Sequence, residues 1–137
     1  MAPKSYTGSC HCTLIRFTAT LDLAATATGK CNCSICFKTR AWEFTISPSD
    51  FTLHPDSEQH LTDYTFGTKQ VHHLFCKVCG VRAFGRGDWP GWLGEFVSVS
   101  VVCLDGVGDD ELVALGVVRR NGREEKWGEE PVVSSHL

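Results

Sequence analysis

A chain of 137 residues with 42% hydrophobic and 21% charged residues has the apolar content for a packed core, which excludes disorder along most of its length. Its 13 basic and 16 acidic side chains leave a net charge of -3, which argues against a nucleic-acid partner. No apolar run reaches membrane-spanning length, and the first six residues carry no apolar signal-peptide core, so the expectation is a cytoplasmic protein without a membrane partner.

The dominant local pattern is alternation, the signature of half-buried strands. In residues 14–20 the apolar Ile15, Phe17 and Ala19 share a face opposite Arg16, Thr18 and Thr20. Residues 42–46 place Trp42, Phe44 and Ile46 together. Ser47 and Pro48 read as the N-cap and first position of a single helical turn. Residues 62–66 present Tyr64 with Phe66, and residues 71–75 run directly into Cys76. Residues 96–104 form the strongest strand pattern, with Val97, Val99, Val101 and Cys103 in one phase. Eight glycines from Gly67 to Gly108, among them Gly85, Gly87 and Gly94, read as turns between short strands. Residues 112–118 are ambiguous, and residues 122–137 read as a loose tail or a late edge strand.

Cysteine is the outlier. Seven of the 8 fall into three clusters: Cys10 with Cys12, Cys31 with Cys33 and Cys36, and Cys76 with Cys79. In a reducing compartment, dense cysteines more often bind metal than form disulfides. Two pairs supply the four thiolates of a closed tetrahedral zinc site, so Cys10, Cys12, Cys76 and Cys79 are read as structural ligands. Gly80 directly after the second pair suits a knuckle turn. Cys31, Cys33 and Cys36 offer three thiolates in six residues, the ligand number of a zinc with one position left for water or a thiol. Two readings compete with it: a closed site completed by His11, His72 or His73, and a metal-free redox cluster. Lys30, Lys38 and Arg40 flank the triple cluster, where they offset thiolate charge or attract an anionic ligand. Cys103 reads as a buried core thiol.

The order C-x-C, C-x-C-x-x-C, F-C-x-x-C-G resembles the glutathione-dependent formaldehyde-activating enzymes and the related centromere protein V. Residues 8–12, 64–68, 73–80 and 101–105 support the resemblance. It implies a mainly β fold, an Mss4-like β-tent of short antiparallel sheets held by zinc. It implies one domain over residues 1–137, with a core at about 5–110 and a C-terminal extension at 111–137. It also implies two zinc ions per chain: a structural one on Cys10, Cys12, Cys76 and Cys79, and an active-site one on Cys31, Cys33 and Cys36. The activity implied is condensation of glutathione with formaldehyde, a carbon–sulfur lyase reaction read backwards. Asn32 and Phe37 stand where family members often carry histidine and arginine.

The expected partners are therefore a small-molecule electrophile and a thiol, with glutathione as co-substrate. His73, His72 and Tyr64 are the candidate proton donors, His73 first among them. Two alternatives remain: zinc-dependent water addition or hydrolysis at another carbonyl or imine, and a non-enzymatic zinc-stabilised interaction module. A methionine sulfoxide reductase would need a reactive lone cysteine, a role that Cys103, in phase with the valines, suits poorly. Trp89 and Trp92 either line a pocket for a larger, more apolar substrate or simply pack.

Overall fold

The computed structural model describes residues 2–137 and is mainly β. Strands β1 (Lys4–Ser9), β2 (Arg16–Leu21) and β5 (Phe51–Leu53) form a three-stranded antiparallel sheet with β2 at its centre. A second sheet holds β3 (Thr28–Cys31), β4 (Glu43–Ile46), β6 (Leu61–Tyr64), β7 (Val71–Cys76), β8 (Phe84–Trp89), β9 (Gly94–Ser100) and β10 (Val117–Arg120). Its order is β10-β3-β4-β9-β8-β7-β6, antiparallel throughout except that β10 runs parallel to β3. Two short helices, α1 (Ser34–Thr39) and α2 (Asp109–Val113), complete the regular structure with four 3-10 turns. No helix among the described residues is long and apolar enough to cross a membrane.

The alternation places one face of each strand in the core. Ile15, Phe17 and Ala19 meet Phe44 and Ile46 of β4 and Val97 and Val99 of β9, and all are buried. Phe84 packs its ring 4.7 Å from Phe51 across the two sheets. Full burial of a side chain of this size contributes about 1.5–3 kcal/mol. Cys103 is buried in the same cluster, and burial pushes its thiol up. Ser47 caps the turn Pro48–Asp50 by accepting from the Ser49 amide.

Three sequence expectations are corrected, and one ambiguous segment is resolved. Gly85 and Gly87 lie inside β8, not in turns. A side chain at Gly85 would meet the His72 carbonyl at 2.9 Å, and one at Gly87 would meet the Phe96 ring at 2.7 Å, so close cross-strand packing selects glycine. The strand of residues 96–104 begins at Gly94, ends at Ser100, and gives way to the turn Val101–Cys103, although Val101 and Cys103 remain buried. Residues 112–118 divide between α2 and β10. Residues 122–137 are neither a loose tail nor a strand. The edge strand is β10, and the chain beyond it folds back against the triple cluster through polar contacts that hydrophobic patterning does not register.

Candidate functional site

The two cysteine clusters form as sets of converging thiols. Within each, the sulfur atoms all lie within 4.8 Å of one another. Cys10 and Cys12 leave β1 in a tight turn, and Cys76 and Cys79 form the knuckle after β7. Gly80 closes that knuckle at φ +78, with its amide on the Cys76 carbonyl at 2.8 Å. The sulfurs of Cys10 and Cys12 are 3.7 Å apart, and those of Cys12 and Cys76 are 3.6 Å apart. A tetrahedron of thiolates about 2.3 Å from zinc has edges of about 3.8 Å, so this donor set fits a closed zinc site. Main-chain amides point at the sulfurs as well, from Ile15 to Cys10 and from Val78 to Cys76. Donation from the Cys12 amide, then from Val81, lowers the Cys79 thiol to about 6, which favours the thiolate that a metal needs.

The second cluster is built locally. Cys31 ends β3, Cys33 is the N-cap of α1, and Cys36 lies inside that helix. Helix α1 buries none of its residues, so it gives little hydrophobic signal in the sequence. Hydrogen bonds from Cys31 and then Cys36 hold Cys33 far below the usual thiol range, while Cys31 and then Cys33 hold Cys36 well above it. Three sulfurs this close share protons unequally, and a metal bound there would displace the protons that remain. They supply one donor fewer than tetrahedral zinc takes, which fits an open site.

This cluster lines a cleft of about 610 Å³, which the four-cysteine cluster does not reach. The polar faces of β4 and β9 form its floor. Phe44 and Val99 point into the core, and Glu43, Thr45 and Ser98 therefore face the cleft. Burial raises the Glu43 carboxyl, with nearby Arg82 opposing the shift. Arg82 bridges α1 and β7, donating to the Thr39 hydroxyl at 2.7 Å and to Nδ1 of His73 at 3.1 Å. Because a guanidinium only donates, Nδ1 of His73 is the acceptor and Nε2 carries the ring proton. Burial, then Arg82, lowers the His73 pKa, which keeps the imidazole neutral. Phe66 stacks on the His73 ring at 5.3 Å.

The other proposed donors are placed elsewhere. His72 pairs with Asp63 at 2.6 Å on the exposed side of the sheet, and Tyr64 is half exposed, stacked on Phe66; neither lines the cleft. Of the flanking cations, Lys30 lines the cleft, with its ammonium 5.0 Å from the Trp42 ring and 3.3 Å from the Leu137 carbonyl. Burial, then Arg119 and Arg40, lowers its pKa. Arg40 lies in a small side recess and donates to the His136 carbonyl at 2.8 Å; Lys38 lines neither space.

Several cleft residues escape the sequence pattern. Asn32, buried between two cysteines, donates to Oδ1 of Asn121 at 3.1 Å and accepts from the Arg123 amide at 3.0 Å. This clamp brings Arg123 and Trp127 to the cleft. Trp127 then meets Trp89 at 5.1 Å and Trp92 at 6.3 Å, so the loop tryptophans line the cleft and also pack. The one advance signal for the floor was strand phase, since Glu43, Thr45 and Ser98 alternate with core residues. Contacts spanning some 90 residues, such as Asn32 to Asn121, carry no local signal.

The family model described as glutathione-dependent formaldehyde-activating enzyme matches residues 5–114. Among solved structures, a Rhodobacter sphaeroides protein matches with a TM-score of 0.67 and 28% identity, over 82% of this chain and 99% of that one.

Proposed function

Because the chain belongs to the glutathione-dependent formaldehyde-activating enzyme family, we propose that it adds a glutathione-like thiol to an electrophilic carbon and removes it again, as a carbon–sulfur lyase. The observation that carries this reading is that the three-cysteine cluster, and not the four-cysteine one, lines the cleft. Cys31, Cys33 and Cys36 would hold zinc, which when bound lowers the pKa of a thiol and so supplies a nucleophile at neutral pH. Cys10, Cys12, Cys76 and Cys79 would hold a second, structural zinc.

The surrounding side chains do the rest. Arg82, Arg123 and Lys30 line the cleft and suit the carboxylates of an anionic thiol. Neutral His73, with its proton on Nε2, is the candidate donor to the oxygen that gains charge as the carbon–sulfur bond forms. Arg82 fixes that tautomer and, by its charge, keeps the ring from taking a second proton. Addition transfers the thiol hydrogen to the carbonyl oxygen overall, and the reverse reaction returns it.

Titration of the zinc-loaded protein with glutathione and S-methylglutathione tests the reading. Tighter binding of glutathione, weakened by salt, is the expected result. Equal affinity of the two ligands would contradict a site that recognises the free thiol.

A further inference from the structure

Glutathione contains no aromatic ring and formaldehyde has almost no apolar surface, yet a cluster of three mutually packed tryptophans lines the cleft. Trp89 stands edge-on to both Trp92 and Trp127, with interplanar angles of 89° and 76°. Arg120 holds the arrangement from the sheet edge. Its guanidinium lies 5.4 Å from the Trp92 ring centre and donates to the Trp127 carbonyl at 3.1 Å. Trp92 is 44% exposed and lines the cleft, so its ring offers surface to a ligand.

The tryptophan cluster adjoins the thiols. The empty side-chain position of Gly122 lies 2.4 Å from the Trp127 ring and 2.7 Å from the Cys31 sulfur. The indole and the thiol thus flank the one position that a side chain at residue 122 would take, and stand closer together than the length of an aromatic aldehyde. A cleft of about 610 Å³ has room for a thiol and a ring-bearing electrophile together.

We infer that the electrophile is an aromatic aldehyde, its ring laid against the cleft-facing side of the Trp89, Trp92 and Trp127 cluster and its carbonyl turned toward Cys31, Cys33 and Cys36. Stacked and edge-to-face contacts reward a planar ring over a puckered one of equal size. What becomes of the aldehyde rests on the thiol-addition reading. The thiol S–H adds across C=O: the carbon–sulfur bond forms, the carbonyl π bond breaks, and the thiol hydrogen ends on oxygen as a hemithioacetal hydroxyl. No oxidant or reductant is needed.

The subsite is tested by binding alone. Benzyl alcohol and cyclohexylmethanol, which share a carbon count and differ in planarity, are titrated into the zinc-loaded protein and followed by tryptophan fluorescence and ligand-observed NMR. Benzyl alcohol should bind about tenfold more tightly. That preference should fall to near parity in Trp127→Leu and in Trp92→Leu, the latter at an exposed position that tolerates truncation. Equal binding of the two alcohols to the wild-type protein, or a preference unchanged in both variants, would overturn the proposal. A second arm measures glutathione adduct formation with benzaldehyde and with formaldehyde. A planar preference with faster benzaldehyde turnover supports both readings. A Trp127-dependent planar preference without any adduct keeps the aromatic subsite and removes the thiol chemistry. Adduct formation with formaldehyde and no planar preference keeps the thiol chemistry and overturns the aromatic one.

Discussion

Cys12 and Cys76 meet across 64 residues of chain, whereas Cys31, Cys33 and Cys36 meet within six. The first set lies against the core beside buried Ile15 and Leu74, and the second lines a cleft from a strand end and a helix with no buried residue. The ligand chemistry is the same in both, so the difference lies in connectivity and exposure. A cross-link over a loop of this length withdraws on the order of 4 kcal/mol of chain entropy from the unfolded state. A cross-link over six residues withdraws about 2 kcal/mol, roughly half as much, and ties no distant parts of the fold together. Long-range closure and burial suit a structural metal; local closure beside a cavity suits a reactive one.

The largest effect is expected at the long-range cluster. Cys76→Ser removes a ligand whose metal energy is folding energy, and should cost several kcal/mol, enough to unfold a protein of ordinary stability. Thermal melting and zinc content of the purified variant check this. An unchanged melting temperature with full metal would show that the cluster does not hold the fold. Cys33→Ser sharpens the contrast. It should lose the second metal and reduce thiol addition by more than about 100-fold, since even outer-sphere changes cost 10–100-fold, while the melting temperature falls by no more than about 5 °C. Circular dichroism with metal analysis distinguishes this from a collapse like that of Cys76→Ser, which would make both clusters structural.

Asn32→Ala acts on the connection between the local cluster and the C-terminal segment. It leaves the Arg123 amide and the Asn121 side chain without their partners, at about 1–3 kcal/mol. Trypsin should then cut faster at Arg123 and Lys126 than in the wild-type protein, with the core left intact. An unchanged digestion rate would mean that the clamp does not hold the segment.

What the sequence disclosed follows the same division. Cysteine spacing is written within a few residues, so the cysteine clusters were legible, and so were β2, β4 and β9, whose apolar phases are strong; β6 and β7 were legible from their aromatic and β-branched residues. β1 was not, because half of its residues are exposed and no apolar alternation marks them. β3, with Gly29 and Lys30 between Thr28 and Cys31, was equally silent. β8 was hidden by glycines that close packing requires. The cleft was only half legible. Its thiols and loop tryptophans stood out, but Trp127, Arg82 and the Asn32 clamp reach it through contacts between residues far apart in sequence.

The smallest predicted effect concerns pH. The His73 pKa is lowered in the folded protein by burial and Arg82, so the unfolded chain binds the proton more readily. Its contribution is therefore retained above the unfolded imidazole pKa of about 6.5 and lost as pH falls through the lower folded value. Between pH 7.5 and 5.5 the urea midpoint of the wild-type protein should fall more than that of His73→Gln. Acid weakening of the thiolate sites is common to both proteins, so the difference isolates the imidazole. Parallel profiles would remove His73 as the titrating group.

The division of labour between the clusters is tested most directly by cobalt(II) substitution, read through the sulfur-to-metal charge-transfer absorption. The account predicts two cobalt ions per chain and a change in the absorption of one of them on adding glutathione. S-methylglutathione should leave the spectrum unchanged, and Cys33→Ser should abolish the glutathione response while keeping the absorption of the other ion. A spectrum that glutathione does not alter, or a response that survives in Cys33→Ser, would contradict it.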